Sequence, residues 1–316
     1  VATASAELDA ARSRLLREER LLAARVRVAF VEALRVRELV AVEKANAELA
    51  QSLAEVARKR FEHGAVAQME VNLAQVQVGR AGRDLRLTQG AYEVARSLLA
   101  EVVGLDPTRP PIPEGSLDLP PRVLLSVPDL ISAALERRAD LQSFRHTAEA
   151  ARSRIELERR ASVPNLAAEA FYGHEDGTDR LIGGAIGIRI PIFNRNQGPI
   201  AEARATERQA VAETEAAKLQ VRQEVAASLA RYRASKAAAE NLEQHVLGTL
   251  DQNLGLLQRS FEAGKTSWTD VLVFRREFVD VQRDYIETLT DARLSGIELD
   301  LAAADSSSDL HKESQP

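Results

Sequence analysis

Apolar or small residues recur along most of the chain at alternating intervals of three and four. One run falls at Val71, Ala74, Val78, Ala81, Leu85, Thr88, Tyr92, Ala95, Leu99 and Val102. A second falls at Val271, Phe274, Phe278, Val281, Tyr285, Thr288, Ala292, Ser295, Leu299 and Ala302. This spacing is the heptad of helices that meet along a narrow seam. Each run is preceded by another of the same kind, at Val26, Ala29, Ala33, Val36 and Val40, and at Val246, Leu250, Leu254, Leu257 and Phe261. Gly64 and Gly264 follow the leading runs, and glycine tolerates the left-handed conformation that ends a helix. The pattern predicts two helical hairpins with tight turns at these glycines. A leading helix from Thr3 to Phe61 would be on the order of 90 Å long, and one from Gly198 to Phe261 comparable. The small seam residues bury little area, so such helices are expected to need a multi-helix assembly.

The two hairpins are copies of one unit. Phe61, Glu62, Gly64, Val71, Arg83, Asp84, Thr88 and Leu99 recur as Phe261, Glu262, Gly264, Val271, Arg283, Asp284, Thr288 and Leu299, at a constant separation of 200. A match of this length held in one register marks an internal repeat.

The segment between the copies follows other rules. Residues 104–128 hold seven of the eleven prolines, which bars a helix or a central strand and predicts an extended connector. A helix is expected from Pro128-Asp129, capped by Ser126, with a break near Asp140 and an end near Ser162. Pro164 stops it, and the period changes to two. Asn165 to His174 is one strand-length run and Leu181 to Phe193 another, with Glu175-Asp176-Gly177-Thr178-Asp179 as the turn. Ile182, Gly184, Ile186, Ile188, Ile190 and Ile192 share one face of the second strand, and Gly183, Ala185, Gly187 and Arg189 the other. This alternation fits a soluble hairpin packed on helices. It also fits a tilted transmembrane strand whose isoleucine face meets lipid.

Composition removes several functions. The formal net charge is −5 and the basic residues are interspersed with acidic ones, which is no nucleic-acid footprint. Without cysteine there is no disulfide, thiolate metal site or cysteine nucleophile. His63, His146, His174, His245 and His311 have no ligand spacing, so neither metal nor other cofactor is expected. No phosphate loop or nucleophile elbow occurs, and an enzyme is not expected. No apolar run reaches the ~20 residues of a membrane helix, so bilayer entry would require strands. The predicted organisation is a first helical hairpin at 1–104, the connector at 105–128, a helix at 129–163 and a β-hairpin at 164–194. A second helical hairpin follows at 195–304, and then a disordered tail at 305–316.

Several segments resemble the TolC-like outer-membrane efflux proteins. They are Ile190-Pro191-Ile192-Phe193-Asn194-Arg195-Asn196-Gln197-Gly198 with Ile200 and Ala201, and the two F-x-x-G turns followed by Glu70-Val71 and Asp270-Val271. Arg138-Ala139-Asp140-Leu141 and Val103-Gly104-Leu105 belong with them. The likeness runs over residues 1–304, and the Phe-Asn-Arg-Asn-Gln-Gly stretch looks most like the cobalt-zinc-cadmium branch. It implies a mainly α fold with a β-hairpin, in which long coiled-coil hairpins form a homotrimeric α-barrel in the periplasm. The strands would contribute to a shared transmembrane β-barrel in outer-membrane lipid.

The resemblance further implies a passive, gated duct fed by an inner-membrane transporter of the resistance-nodulation-division (RND) type through a periplasmic adaptor. Asp270 matches an acidic ring that narrows the duct, while the second aspartate of that ring falls on Val273. Ser267-x-x-Asp270 also reads as a capping box, and the two roles are compatible. His63, Gly64, Ala65, Ala263, Gly264 and Lys265 are the expected adaptor contacts. The family pattern has two strand hairpins per chain, so the other is expected upstream of Val1. The competing readings are a periplasmic adaptor, which carries one helical hairpin between β-rich domains, and a soluble coiled-coil scaffold, for which the isoleucine strand has no use.

Overall fold

A computed structural model describes residues 2–120, 126–175, 179–188 and 193–304. In chain order the elements are α1 (Ala2–Glu62), α2 (Gln68–Val103), α3 (Val127–Arg137), α4 (Ala139–Ala161), β1 (Leu166–Glu175) and β2 (Asp179–Ile188). Then come α5 (Gln197–Leu242), a π-turn (Glu243–Leu247), α6 (Gly248–Glu262) and α7 (Trp268–Ala303). The second leading arm is thus interrupted where one unbroken helix was expected. The break in the middle helix falls at Arg138, two residues before Asp140. The expected tail 305–316 and the positions Arg189 to Ile192 lie outside the described residues.

The chain divides into two compact units, Val1–Glu18 with Leu135–Val221, and Glu19–Ala134 with Arg222–Pro316. In the first, α1, α4 and α5 bury alanines at Ala6, Ala10, Ala150, Ala151, Ala203 and Ala210. Arg138, almost wholly buried, holds Asp140 through Nε–Oδ1 (3.0 Å) and Nη2–Oδ2 (2.5 Å). Burial raises the Asp140 pKa, but Arg138, Arg17 and the Leu141 amide outweigh it and hold the carboxyl below its ordinary value.

β1 and β2 form an antiparallel hairpin in the register Leu166↔Ile188 to Glu175↔Asp179. Leu166, Tyr172, Ile182, Ile186 and Ile188 stand exposed on one face. On the other, the Phe171 ring covers Gly183 so closely that a Cβ there would lie 2.3 Å from it. The Phe-Asn-Arg-Asn-Gln-Gly motif builds the turn into α5. Asn196 sits at φ +60, and its amide donates to Glu158 O and Glu158 Oε2, both at 2.9 Å. Asparagine is one of the few non-glycine residues that adopt this conformation readily.

In the second unit the seam positions of both returning helices are buried or half-buried. The proline connector packs Leu117 and Leu119 against Val31, Leu34, Ile286 and Leu289. Prolines supply no N–H, and arginines from the helices satisfy the carbonyls instead. Arg96 donates to Pro110 O (2.6 Å) and Pro111 O (3.0 Å), Arg37 to Pro113 O (3.0 Å) and Gly115 O (2.6 Å), and Arg293 to Ser116 O (2.8 Å).

Candidate functional site: the paired helical turns

Both helix ends close in the same way. At the first, Gly64 N donates to Phe61 O (2.8 Å) and Ala65 N to Arg60 O (2.8 Å), with Gly64 at φ +70. At the second, Gly264 N donates to Phe261 O (3.0 Å) and Lys265 N to Ser260 O (2.9 Å), with Gly264 at φ +71. These paired bonds form the Schellman motif, whose C′ position favours glycine. His63, Gly64, Ala65, Ala263, Gly264 and Lys265 are all exposed.

The turns are brought side by side. Arg60, in the last turn of α1, stacks its guanidinium 4.9 Å above the Phe261 ring, and its Nη2 would lie 3.8 Å from a Cβ on Gly264. Phe261 meets Trp268 with ring centroids 5.6 Å apart. Both sit in a core with Leu49, Leu53, Ala57, Ala74 and Val271. Trp268 Nε1 and Arg60 Nη1 are buried and find no acceptor among the described residues.

Asp270 begins α7. Its amide donates to Ser267 Oγ (3.2 Å), and its Oδ2 accepts from Ser267 N (3.3 Å) and Ser267 Oγ (2.7 Å). The capping box is therefore formed, and Asp270 remains exposed to solvent. Val273, three residues on, is exposed as well.

Above the turns lies a polar junction that the seam pattern did not reveal. Glu43, only 2% exposed, accepts from Arg283 Nε at 2.9 Å and also pairs with Arg283 Nη2. Arg275 joins three helices, donating to Asn46 Oδ1 (2.8 Å) on α1 and Gln77 Oε1 (2.7 Å) on α2. Burial pulls the Arg275 pKa below its ordinary value, against the opposing pull of Glu43 and Asp84. A signal was available: Glu43 continues the apolar seam Val36, Val40 in register, and a carboxylate there needs a buried partner.

α7 presents a second feature of the site. Asp270, Glu277, Asp280, Asp284, Glu287, Asp291 and Glu298 fall at intervals of three, four and seven and are all exposed, forming one acidic stripe. Asp280, Glu287 and Glu298 each meet an arginine, Arg276 (3.6 Å), Arg35 (2.7 Å) and Arg231 (3.1 Å). At the same offset the corresponding stripe on α2 reads Glu70, Gln77, Arg80, Asp84, Leu87, Ala91 and Leu98, polar in the half nearer the turn and apolar beyond it, where Leu87 is 66% and Leu98 54% exposed. Among the described residues no group of three or more His, Asp or Glu is placed to hold a metal, and no helix is long and apolar enough to cross a membrane.

Comparison with known proteins points in one direction. A family described as outer membrane efflux protein matches residues 130–304, more than half the chain. The cobalt-zinc-cadmium resistance protein CzcC of Cupriavidus metallidurans is 26% identical over 270 residues, covering 84% of this chain. The chain spans 63% of that relative's length. The outer membrane protein VceC of Vibrio cholerae superposes with a TM-score of 0.79 at 23% identity, over 96% of this chain and 74% of that one. The CmeC outer membrane channel of Campylobacter jejuni superposes with a TM-score of 0.79 at 14% identity, over 99% and 70%.

Proposed function

The chain belongs to the outer membrane efflux protein family, and on that footing we propose that it is part of a passive, gated duct through the outer membrane. The observation that carries the reading is the opposite character of two equivalent exposed stretches, Leu87, Ala91 and Leu98 on α2 and Glu287, Asp291 and Glu298 on α7. The exposed Leu87, Val94 and Leu98 of α2 are unstable in water and ask for cover by another helix. The acidic stripe along α7 asks for water. A ring of identical chains answers both, with each α2 packed on a neighbour and each α7 lining a hydrated lumen. A homotrimer is the assembly that the resemblance implies.

The exposed isoleucine face of the hairpin supports insertion of β1 and β2 into a shared barrel, since an isolated two-stranded hairpin is marginal in water. A periplasmic adaptor, fed by an RND-type transporter, would dock on the exposed turns at His63, Gly64, Ala65, Ala263, Gly264 and Lys265. Phe61 and Met69 lie exposed beside the first turn and offer such a partner an apolar contact. The cargo is a metal cation or small toxic compound, for which an acidic lumen is favourable, and the likeness to a cobalt-zinc-cadmium resistance protein supports the metal. Family and fold favour the duct over the adaptor and the scaffold.

The test is single-channel recording on the full-length protein in planar bilayers. Symmetry-related Asp270 carboxylates near the axis would narrow the duct and select cations. Asp270→Ala should raise conductance and weaken cation preference while the detergent-extracted trimer keeps its mass. Unchanged conductance and selectivity would remove Asp270 from the constriction. A water-soluble monomer would remove the duct itself.

A further inference from the structure

The second leading arm contains one residue more than the first, and the π-turn is where it is taken up. Counted from the turns, the arms correspond at a separation of 200, with Val246 matching Asn46, Leu254 matching Ala54 and Leu257 matching Ala57. Above the π-turn the correspondence is 199. Val225 then matches Val26, Leu229 matches Phe30, Tyr232 matches Ala33 and Ala239 matches Val40, each of them buried or half-buried. Held at 200, buried Val225 would correspond to exposed Arg25, and buried Ser228 to exposed Val28. An extra residue in a regular helix turns everything beyond it by about 100°. Widening one turn at Glu243–Leu247 keeps both stretches facing their neighbours.

The widened turn departs from the regular ladder, and the residues around it weaken the helix further. Gly248, Thr249 and Gly255 stand where the first arm has Glu48, Leu49 and Glu55. Neither glycine answers a local demand. Gly248 has an ordinary helical φ of −61, and a Cβ on either would meet nothing within 4 Å. Gly296 differs, because a Cβ there would lie 3.3 Å from the Tyr232 ring.

The neighbours divide by chemistry. On the arm side, Val246 packs in an apolar cluster with Val42, Phe274, Phe278 and Val281, which can shift without breaking a polar bond. On the returning side, Glu43–Arg283 and Asn46–Arg275–Gln77 tie α7 to the first hairpin.

We propose that the π-turn Glu243–Leu247, with Gly248 and Gly255, is a hinge about which α6 and the turn before Asp270 bend, while the uninterrupted first arm stays straight. Its purpose, moving the second turn during gating, rests on the duct reading. Two variants of the full-length protein test it. Deleting exposed His245 removes the inserted residue and leaves both helix faces in phase. Gly248→Ala with Gly255→Ala stiffens the arm where added Cβ atoms meet nothing.

Amide hydrogen exchange at 243–249 should be about tenfold faster than at 42–49 in the wild type. In both variants it should slow toward the first arm's rate, and the open fraction in planar bilayers should fall about tenfold. Equal exchange in the two wild-type arms overturns the hinge. So does an unchanged open fraction in a variant whose exchange has slowed. If the deletion does not assemble, the double alanine variant decides. A wild type that conducts nothing would refute the duct, and the exchange comparison alone would then decide the hinge.

Discussion

The two helical hairpins are copies of one unit and differ face by face. Phe261 is fully buried against Trp268, whereas its counterpart Phe61 is 39% exposed. Arg283 reaches across to buried Glu43, whereas Arg83 pairs with its own neighbour Asp84 at 2.6 Å. The stripe holding Leu87, Ala91 and Leu98 on α2 holds Glu287, Asp291 and Glu298 on α7. The turns that close the two arms have nevertheless kept the same hydrogen bonds. Backbone geometry was retained and side chains diverged, which is the outcome expected when each copy meets a different surrounding. α7 buries residues on more than one face, and α2 buries a narrow seam and leaves Leu87, Val94 and Leu98 exposed.

The strongest way to break this comparison is to truncate the matched phenylalanines in turn. Phe261→Ala should cost about 3–5 kcal/mol in chemical unfolding, and Phe61→Ala less than about 1 kcal/mol. Equal losses would mean that the two turns are packed alike. Next come the matched arginines. Arg283→Met strands the Glu43 carboxylate and should cost about 2–3 kcal/mol, moderated by the partial exposure of Arg283, while Arg83→Met should cost about 0.5 kcal/mol or less. Glu43→Leu with Arg283→Met should recover most of the loss, because removing both charges leaves neither group unpaired.

A smaller effect sharpens the comparison by transplanting a feature. Ser267 caps α7 at φ −77, ψ 157, and Ala67 precedes α2 at φ −81, ψ 153 without a side-chain cap. Because Glu70 already stands three residues on, Ala67→Ser completes a capping box and should stabilise by about 0.5–1 kcal/mol. Ser267→Ala should lose a similar amount. Thermal unfolding of the two variants checks both signs, and a destabilised Ala67→Ser would show that the first turn differs from the second after all.

The smallest effect is a pH control outside the repeats. Asp140 has a lowered pKa in the folded chain, so the stability it contributes is complete above its ordinary value of 3.8 and fades as pH falls below it. Asp140→Asn should flatten that part of the acid-unfolding curve and leave the difference between Phe61 and Phe261 variants unchanged.

Much of this architecture is written locally. Heptad seams, the glycines at 64 and 264, the prolines of the connector and the period-two isoleucines each act over a few neighbouring residues, and each describes the element it predicts. The Ser267–Asp270 cap is legible for the same reason, since its two residues lie within one helical turn. Tertiary structure decided the rest. It set which of two equivalent phenylalanines is buried, which of two equivalent arginines crosses to another helix, and where an arm absorbs an extra residue. Glu43 and Arg283 are 240 residues apart. The one-residue slip at the π-turn becomes visible only when burial on both sides is compared. Periodicity determines that a helix has a face, but what the face meets depends on segments far away in the chain, brought together only when the helices pack.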